Sequence, residues 1–216
     1  MTERKKQLEI PDDKLNTVVQ LFSDGKYIET ITLINVLNET YPNVPLFFNI
    51  LGACYQSLGQ LNESIKMFSY AIKIKPDYVE AHFNLGVVLK ESGKVENAIE
   101  SYNNAINLFP KYFNAHNNLG NALKQMGRFE ESIQSYLKAI EITPNSPEVN
   151  FNLAGVYKSI GLLEDAVKFY QVAISLNPDY AQAHNNLGVT FRKLNQLQKA
   201  LIHFEMAESL MPEIQF

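Results

Sequence analysis

The prolines and glycines of this chain recur in register every 34 residues, counted from Pro11. We number the positions of each repeat as slots 1 to 34. All nine prolines lie at slot 1 or slot 32, and nine of the ten glycines lie at slot 8 or slot 15; Gly155, at slot 9, is the exception. Because proline and glycine interrupt regular structure more strongly than other residues, this register predicts six contiguous repeats over residues 11–214, without insertions.

Each repeat is predicted to be a pair of antiparallel helices. Apolar and small residues at slots 3, 4, 7, 8, 10, 11 and 14 share one face of a first helix, helix A, and slots 20, 21, 24, 27, 28 and 30 do the same in helix B. Slot 15 ends helix A, since glycine adopts the left-handed conformation readily and Asn195 takes its place in the last repeat. The slot 33 residues Asn43, Asp77, Asn145 and Asp179 are predicted to cap the next helix A.

The slot 8 glycines lie inside helix A, where glycine costs about 1 kcal/mol relative to alanine. They therefore predict that a neighbouring helix packs unusually close at this slot. A helix pair of this kind buries the rest of its apolar surface only by stacking on the next pair, so the repeats are expected to depend on one another for stability.

This slot pattern resembles that of the tetratricopeptide repeat (TPR). In the fourth repeat the family's hallmark slots 4, 7, 8, 11, 20, 24, 27 and 32 are filled by His116, Leu119, Gly120, Leu123, Ser132, Tyr136, Ala139 and Pro144. The resemblance implies an all-α fold: a right-handed alpha-alpha superhelix, or TPR solenoid, of six 34-residue helix-turn-helix repeats whose A helices line a concave groove. After a charged segment, residues 1–10, we expect one solenoid over residues 11–216, with repeats at 11–44, 45–78, 79–112, 113–146, 147–180 and 181–214.

The side of helix A opposite its buried face is the candidate binding surface. It consists of slots 2, 6, 9 and 13, flanked by slots 5 and 12, and we call it the inner stripe. Slot 6 is asparagine in five of the six repeats, although asparagine is a mediocre helix former. A carboxamide both donates and accepts hydrogen bonds, so a row of them can bind the backbone of an extended peptide. The predicted peptide-binding amides are Asn84, Asn114, Asn117, Asn118, Asn121, Asn152 and Asn186.

The slot 6 row resembles the asparagine ladder in the superhelical repeats of the protein O-linked N-acetylglucosamine transferase family. The match is carried by Asn84, Asn118, Asn152 and Asn186, and it implies that a peptide is held by its backbone. Asparagine is also common at slot 6 of the general repeat consensus, so inherited surface chemistry is the alternative. Because the fourth repeat carries amides along its whole inner stripe, a bound peptide is predicted to be centred there.

Basic residues form a second column, at slot 12, in a chain whose net charge is −4. They are Lys90, Lys124, Lys158 and Arg192. We expect them to attract an acidic part of the partner through salt-dependent electrostatics, with an ordinary solvated lysine row as the alternative. Slot 5 carries Phe83 and Phe151, which indicate either apolar pockets between the amides or packing against an adjoining helix A.

Composition and spacing disfavour several other classes of protein. An isoelectric point near 5.6 indicates no excess of lysine and arginine with which to bind the phosphates of nucleic acid. No apolar run approaches the length of a membrane span. The single cysteine, Cys54, suits a reducing compartment. His82, His116 and His184 share slot 4, and equivalent slots of neighbouring helices are too far apart to ligate one metal ion. We therefore expect a cytoplasmic protein without a cofactor, a metal, a nucleic-acid partner or a membrane partner.

The sequence indicates a protein-protein interaction scaffold that binds a peptide or an extended protein segment in the concave groove, and not an enzyme. No combination of nucleophile, base and orienting group can be named. One alternative is that the repeats are the substrate-recognition arm of a longer enzyme, such as a glycosyltransferase or a sulfotransferase. Self-association is a further possibility, because the last repeat is predicted to leave Leu201, Phe204 and Leu210 partly uncovered.

Overall fold

The computed structural model describes residues 10–211, which form twelve α-helices and no strand. They alternate between the predicted A and B positions. The helices are α1 (Asp12–Ser23), α2 (Tyr27–Thr40), α3 (Pro45–Ser57), α4 (Leu61–Ile74), α5 (Val79–Glu91), α6 (Val95–Leu108), α7 (Phe113–Gln125), α8 (Phe129–Ile142), α9 (Pro147–Ser159), α10 (Leu163–Leu176), α11 (Ala181–Lys193) and α12 (Leu197–Leu210). The predicted charged segment, apart from Ile10, and the end of the sixth repeat from Pro212 lie outside the described residues.

The helices form two compact units, here called the N-terminal unit (residues 10–110, α1–α6) and the C-terminal unit (residues 111–211, α7–α12). Within each unit, helix B packs against helix A of its own repeat and, where the unit contains another repeat after it, against helix A of that repeat. In the N-terminal unit α3 also contacts α5 directly, and in the C-terminal unit α7 contacts α9. The A helices of these two pairs therefore lie side by side, which brings the inner stripes of each pair next to one another.

Helix A ends where the sequence predicts, at a left-handed residue in slot 15. The five slot 15 glycines have φ between 72° and 83°, and Asn195 has φ 58°. After α7, the Gly127 N–H donates to the Lys124 carbonyl and the Arg128 N–H to the Leu123 carbonyl, which is the Schellman arrangement. These bonds satisfy carbonyls in the last turn of helix A, the turn that carries the slot 12 lysines.

The predicted caps at slot 33 are wrong. The N-cap residues of α3, α5, α7, α9 and α11 lie one residue later, at slot 34. Of these five, only Ser146 accepts a capping bond with its side chain, from the Val149 N–H at 3.4 Å. A side chain at slot 33 lies one residue too early to reach the free N–H groups of the first turn. Asn43 has a different role, because its φ of 61° places it in the left-handed region within the turn.

The slot 8 glycines make room for an aromatic ring at slot 24 of the same repeat. A Cβ atom added to Gly86 would lie 2.6 Å from the ring of Tyr102, and one added to Gly120 would lie 2.7 Å from the ring of Tyr136. Both tyrosine side chains are fully buried. The predicted close approach at slot 8 is thus confirmed. In the fourth repeat Ser132 strengthens it, since its hydroxyl donates to the Gly120 carbonyl at 2.7 Å.

Candidate peptide-binding surface

The slot 6 asparagines Asn84, Asn118, Asn152 and Asn186 are all partly exposed. In the N-terminal unit, Asn84 Nδ2 donates to Asn49 Oδ1 at 3.1 Å, which joins α5 to α3. In the C-terminal unit, Asn186 Oδ1 accepts from Lys158 Nζ at 2.9 Å, which joins α11 to α9. The side chains of Asn118 and Asn152 have no hydrogen-bond partner among residues 10–211. Both therefore offer all their donors and acceptors to a ligand, whereas Asn84 already uses one N–H donor and Asn186 already uses its oxygen as an acceptor once.

The other amides of α7 do not all face solvent. Asn114 is exposed, and Asn121 is half-buried, with its Oδ1 accepting from the Tyr136 hydroxyl at 2.8 Å. Asn117 is only 8% exposed, and its Nδ2 donates to Glu148 Oε1 on α9 at 3.3 Å. The expectation that the whole amide stripe of the fourth repeat faces the groove is therefore wrong at Asn117. Slot 5 of α7 is turned toward the neighbouring helix A, where this side chain bridges two helices.

The slot 12 residues fall into two groups. Arg192 is exposed, with its guanidinium 6.0 Å from the Phe204 ring centroid, and Lys90 is half-buried in the N-terminal unit. Lys124 and Lys158 are half-buried in the C-terminal unit. Burial lowers the pKa of both, and the positive charges of Lys193 and Lys124 lower the pKa of Lys158 further. No carboxylate pairs with either lysine within the described part of the chain, so they differ from an ordinary solvated row.

The slot 5 phenylalanines pack against other aromatic residues. The Phe151 ring centroid lies 4.9 Å from that of Tyr180 and 5.7 Å from that of Tyr170. The Phe83 ring lies 5.9 Å from that of Tyr102. Of the two interpretations of these residues, the contacts favour packing over open apolar pockets.

The slot 4 histidines are buried, as the sequence predicts. His82 Nε2 lies 2.9 Å from the Pro76 carbonyl oxygen, and His184 Nε2 lies 3.1 Å from that of Pro178. Since a carbonyl oxygen can only accept, Nε2 is the protonated nitrogen in both rings. We did not anticipate these bonds from the sequence, although in each case the histidine follows the slot 32 proline by six residues.

The sixth repeat joins one of these histidines to a second. His184, whose Nε2 donates to the Pro178 carbonyl, places its Nδ1 3.0 Å from Nδ1 of His203, and one of these two nitrogens donates to the other. Burial and the neighbouring His184 lower the pKa of His203. No group of three or more histidine, cysteine, aspartate or glutamate side chains in residues 10–211 could hold a metal ion. The two histidines form a polar contact between α11 and α12.

Tyr136 and Tyr170 occupy the same slot but differ in their hydroxyl groups. The Tyr136 hydroxyl donates to Asn121 Oδ1, whereas the buried Tyr170 hydroxyl has no partner among the described residues. Losing a buried hydrogen bond costs about 1 kcal/mol, while removing an unsatisfied group costs nothing. We therefore expect Tyr136→Phe to lower the free energy of unfolding by about that amount and Tyr170→Phe to leave it unchanged or raise it. Urea denaturation of both variants measures the difference, and equal losses would contradict this assignment.

The repeat register, the twelve described helices and the amide-bearing inner stripe together define a tetratricopeptide repeat fold. A family model described as "TPR repeat" matches residues 52–93, 88–127, 120–161 and 156–195. The chain belongs to the tetratricopeptide repeat family.

Two similar curated proteins are receptors by name. Over 59 residues the chain is 37% identical to the mitochondrial import receptor subunit TOM70 of Saccharomyces cerevisiae, a match that covers 27% of this chain and 9% of the receptor. Over 77 residues it is 29% identical to the peroxisomal targeting signal receptor of Candida glabrata, covering 36% of this chain and 13% of the receptor. The similarity thus spans a small part of the length of these relatives.

Solved structures resemble more of the chain. MamA of Desulfovibrio magneticus RS-1 superposes with a TM-score of 0.75 at 17% identity and covers 80% of this chain and 97% of its own. YrrB, described as a TPR protein with an unusual peptide-binding site, gives a TM-score of 0.72 at 18% identity and covers 84% and 93%. At such identities the likeness shows the fold. None of the helices in residues 10–211 combines the length and apolar character needed to cross a bilayer.

Proposed function

We propose that this protein is an interaction scaffold whose inner stripe binds the backbone of an extended peptide or protein segment. In the C-terminal unit the binding groups are the slot 6 carboxamides with Asn114 and Asn121, and Asn84 is the slot 6 carboxamide of the N-terminal unit. Asn117 is left out because its amide bridges α7 and α9. The observation that carries the proposal is that Asn118 and Asn152 lie partly exposed on neighbouring A helices with no hydrogen-bond partner among residues 10–211.

The geometry of stacked helices suits an extended chain. Adjacent packed helices lie about 8 to 10 Å apart, and an extended peptide advances about 3.3 Å per residue. Within the C-terminal unit, successive slot 6 amides therefore meet the peptide at about every third residue. Because Asn118 and Asn152 have no intramolecular bond to break, their donors and acceptors are available to a peptide N–H and C=O without competition from the protein.

The comparisons support a scaffold over the recognition arm of an enzyme. TOM70 and the peroxisomal protein are named as receptors, and YrrB is described as having a peptide-binding site. The enzyme-arm alternative rests on the family resemblance alone. Absence of catalysis, a cytoplasmic location and the lack of nucleic-acid or membrane partners stay predictions. Self-association also stays one; in its favour, Leu201 and Ile202 on α12 are about half exposed, at 50% and 51%.

Affinity selection from a synthetic library of random decapeptide amides, read by mass spectrometry, tests the proposal. We expect binders that share few side chains. In each binder, N-methylation of one peptide bond at a time is expected to weaken binding at about every third bond, whereas alanine at the same positions has little effect. Failure to recover binders, or binders that tolerate N-methylation but not alanine, would overturn backbone capture.

A further inference from the structure

Gly155, the one glycine outside the 34-residue register, lies on α9 of the C-terminal unit, where polar groups of two other helices approach its backbone. A Cβ atom at this residue would lie 3.3 Å from Lys124 Nζ and 3.8 Å from the Tyr170 hydroxyl oxygen. Lys158 Nζ lies over the ring of the same tyrosine, 5.8 Å from its centroid. We call this cluster of polar groups the Gly155 pocket. Its members come from α7, α9 and α10, which contribute two ammonium groups and one hydroxyl.

The positive charge of the Gly155 pocket is not compensated. Lys124 and Lys158 are half-buried and mutually repulsive, and neither pairs with a carboxylate in residues 10–211. The carboxylate on the inner stripe of α9 is Glu148, ten residues before Lys158 and therefore about 15 Å away along the helix. Glu148 already accepts from Asn117. Two desolvated cations without a counterion raise the energy of the free protein, and an anion in the pocket would relieve that cost.

Stabilisation of the helix ends does not account for these lysines. Cations favour the C-terminal turn because of its free carbonyls, but backbone N–H groups already bond those of α7, including Gly127 to Lys124 and Arg128 to Leu123. A lysine on a solvated helix end extends its ammonium into water. Lys124 instead reaches across to Gly155 on α9, and Lys158 reaches Asn186 on α11.

The Tyr170 hydroxyl supplies the second, independent observation. Its side chain is fully buried, and the oxygen has no hydrogen-bond partner among the described residues. Ammonium groups only donate, and a tyrosine hydroxyl can donate as well. The group that satisfies several neighbouring donors is one with several acceptor lone pairs and a negative charge, and in a peptide that group is a carboxylate.

We propose that the Gly155 pocket binds one carboxylate of the segment held by the inner stripe, with Lys124, Lys158 and the Tyr170 hydroxyl as its donors. The inference rests on the proposed function, because the carboxylate belongs to the bound segment. An aspartate or glutamate side chain and a C-terminal carboxylate present the same two oxygens, so the test separates these sources.

Three random decapeptide libraries are selected on the full chain in parallel: amides that contain aspartate and glutamate, free acids without them, and amides without them. Enrichment of the first library over the third is expected if the source is a side chain, and enrichment of the second over the third if it is the C-terminus. Equal recovery from all three overturns the carboxylate site while leaving backbone capture intact. No recovery from any library overturns the proposed function as well.

A pair of double variants separates the Gly155 pocket from general charge. Lys124→Gln with Lys158→Gln is expected to weaken the acidic or free-acid binders at least about tenfold more than the carboxylate-free binders, whose affinity reports only the bond from Lys158 to Asn186. The matched control is Lys138→Gln with Lys168→Gln, which removes two exposed lysines of the same unit from the B helices α8 and α10. If both pairs weaken binding equally, long-range attraction explains the preference and the pocket is overturned.

Two single variants keep the test independent of charge. Gly155→Ala narrows the pocket by one methyl group, and the flexible end of Lys124 can yield the few tenths of an ångström required. Tyr170→Phe removes the third donor. We expect both to weaken carboxylate-bearing binders severalfold while the midpoint of thermal unfolding stays level or rises. A lower midpoint with unchanged affinity would instead assign these residues a structural role.

Discussion

Gly120→Val is expected to lower the free energy of unfolding by about 3 kcal/mol, the upper end of overpacking in a dense core. Even the first added carbon would lie 2.7 Å from the ring of Tyr136. That ring cannot move aside, because the side chain is fully buried and its hydroxyl donates to Asn121. Helices α7 and α8 must separate instead, which also strains the bond from Ser132 to the Gly120 carbonyl. Urea denaturation measures the loss.

A double-mutant cycle shows whether the ring is the cause. Tyr136→Ala alone is expected to cost about 3 to 5 kcal/mol through the cavity it leaves. Valine at residue 120 fills part of that cavity, so the double variant is expected to be more stable than the two separate losses predict, by at least about 1 kcal/mol. Strictly additive losses would contradict contact between slot 8 and slot 24 as the source of the close approach.

Asn118→Ala combined with Asn152→Ala is expected to weaken a selected peptide about thirtyfold, which corresponds to about 2 kcal/mol for the hydrogen bonds of two carboxamides. Both side chains are free of partners in the described structure, so their removal breaks nothing within the protein. Alanine also improves helix propensity by about 0.5 kcal/mol per residue, so stability should be level or higher. Fluorescence anisotropy measures affinity, and thermal unfolding measures stability.

The matched control for this pair is Asn103→Ala with Asn107→Ala, two exposed asparagines on the helix B segment α6. The control is expected to gain similar helix propensity and to leave peptide affinity unchanged. If the double variant at Asn118 and Asn152 binds as well as this control, the slot 6 asparagines do not bind the peptide. They would then only reflect the general consensus of the repeat.

The helices and their ends could be predicted because they depend on local backbone preferences. Gly127 and Asn195 take the left-handed conformation that slot 15 requires, and the small residue at slot 8 indicates a close neighbour in any repeat of this kind. The identity of that neighbour, the slot 24 ring, follows once the two helices of a repeat are known to be antiparallel.

The candidate site could be predicted only in part, because the ends of long side chains depend on the next helix. The sequence places Asn117 and Asn118 on one stripe, yet only the contact with Glu148 on α9 separates the buried amide from the open one. Likewise, slot spacing puts Lys124 in a solvated column, and its position over Gly155 emerges only when α9 is beside it. The sequence shows that Gly155 departs from the 34-residue register, but only the contacts with α7 and α10 indicate a reason for it.

The most direct test of backbone capture is an NMR titration that follows the side-chain amide resonances of Asn118 and Asn152 while a selected peptide amide is added to the full chain. We predict that both NH₂ groups shift in proportion to peptide occupancy and show contacts to peptide backbone protons, while those of Asn103 and Asn107 do not move. Saturating binding that leaves the Asn118 and Asn152 resonances unchanged would contradict the proposal that these carboxamides hold the bound segment.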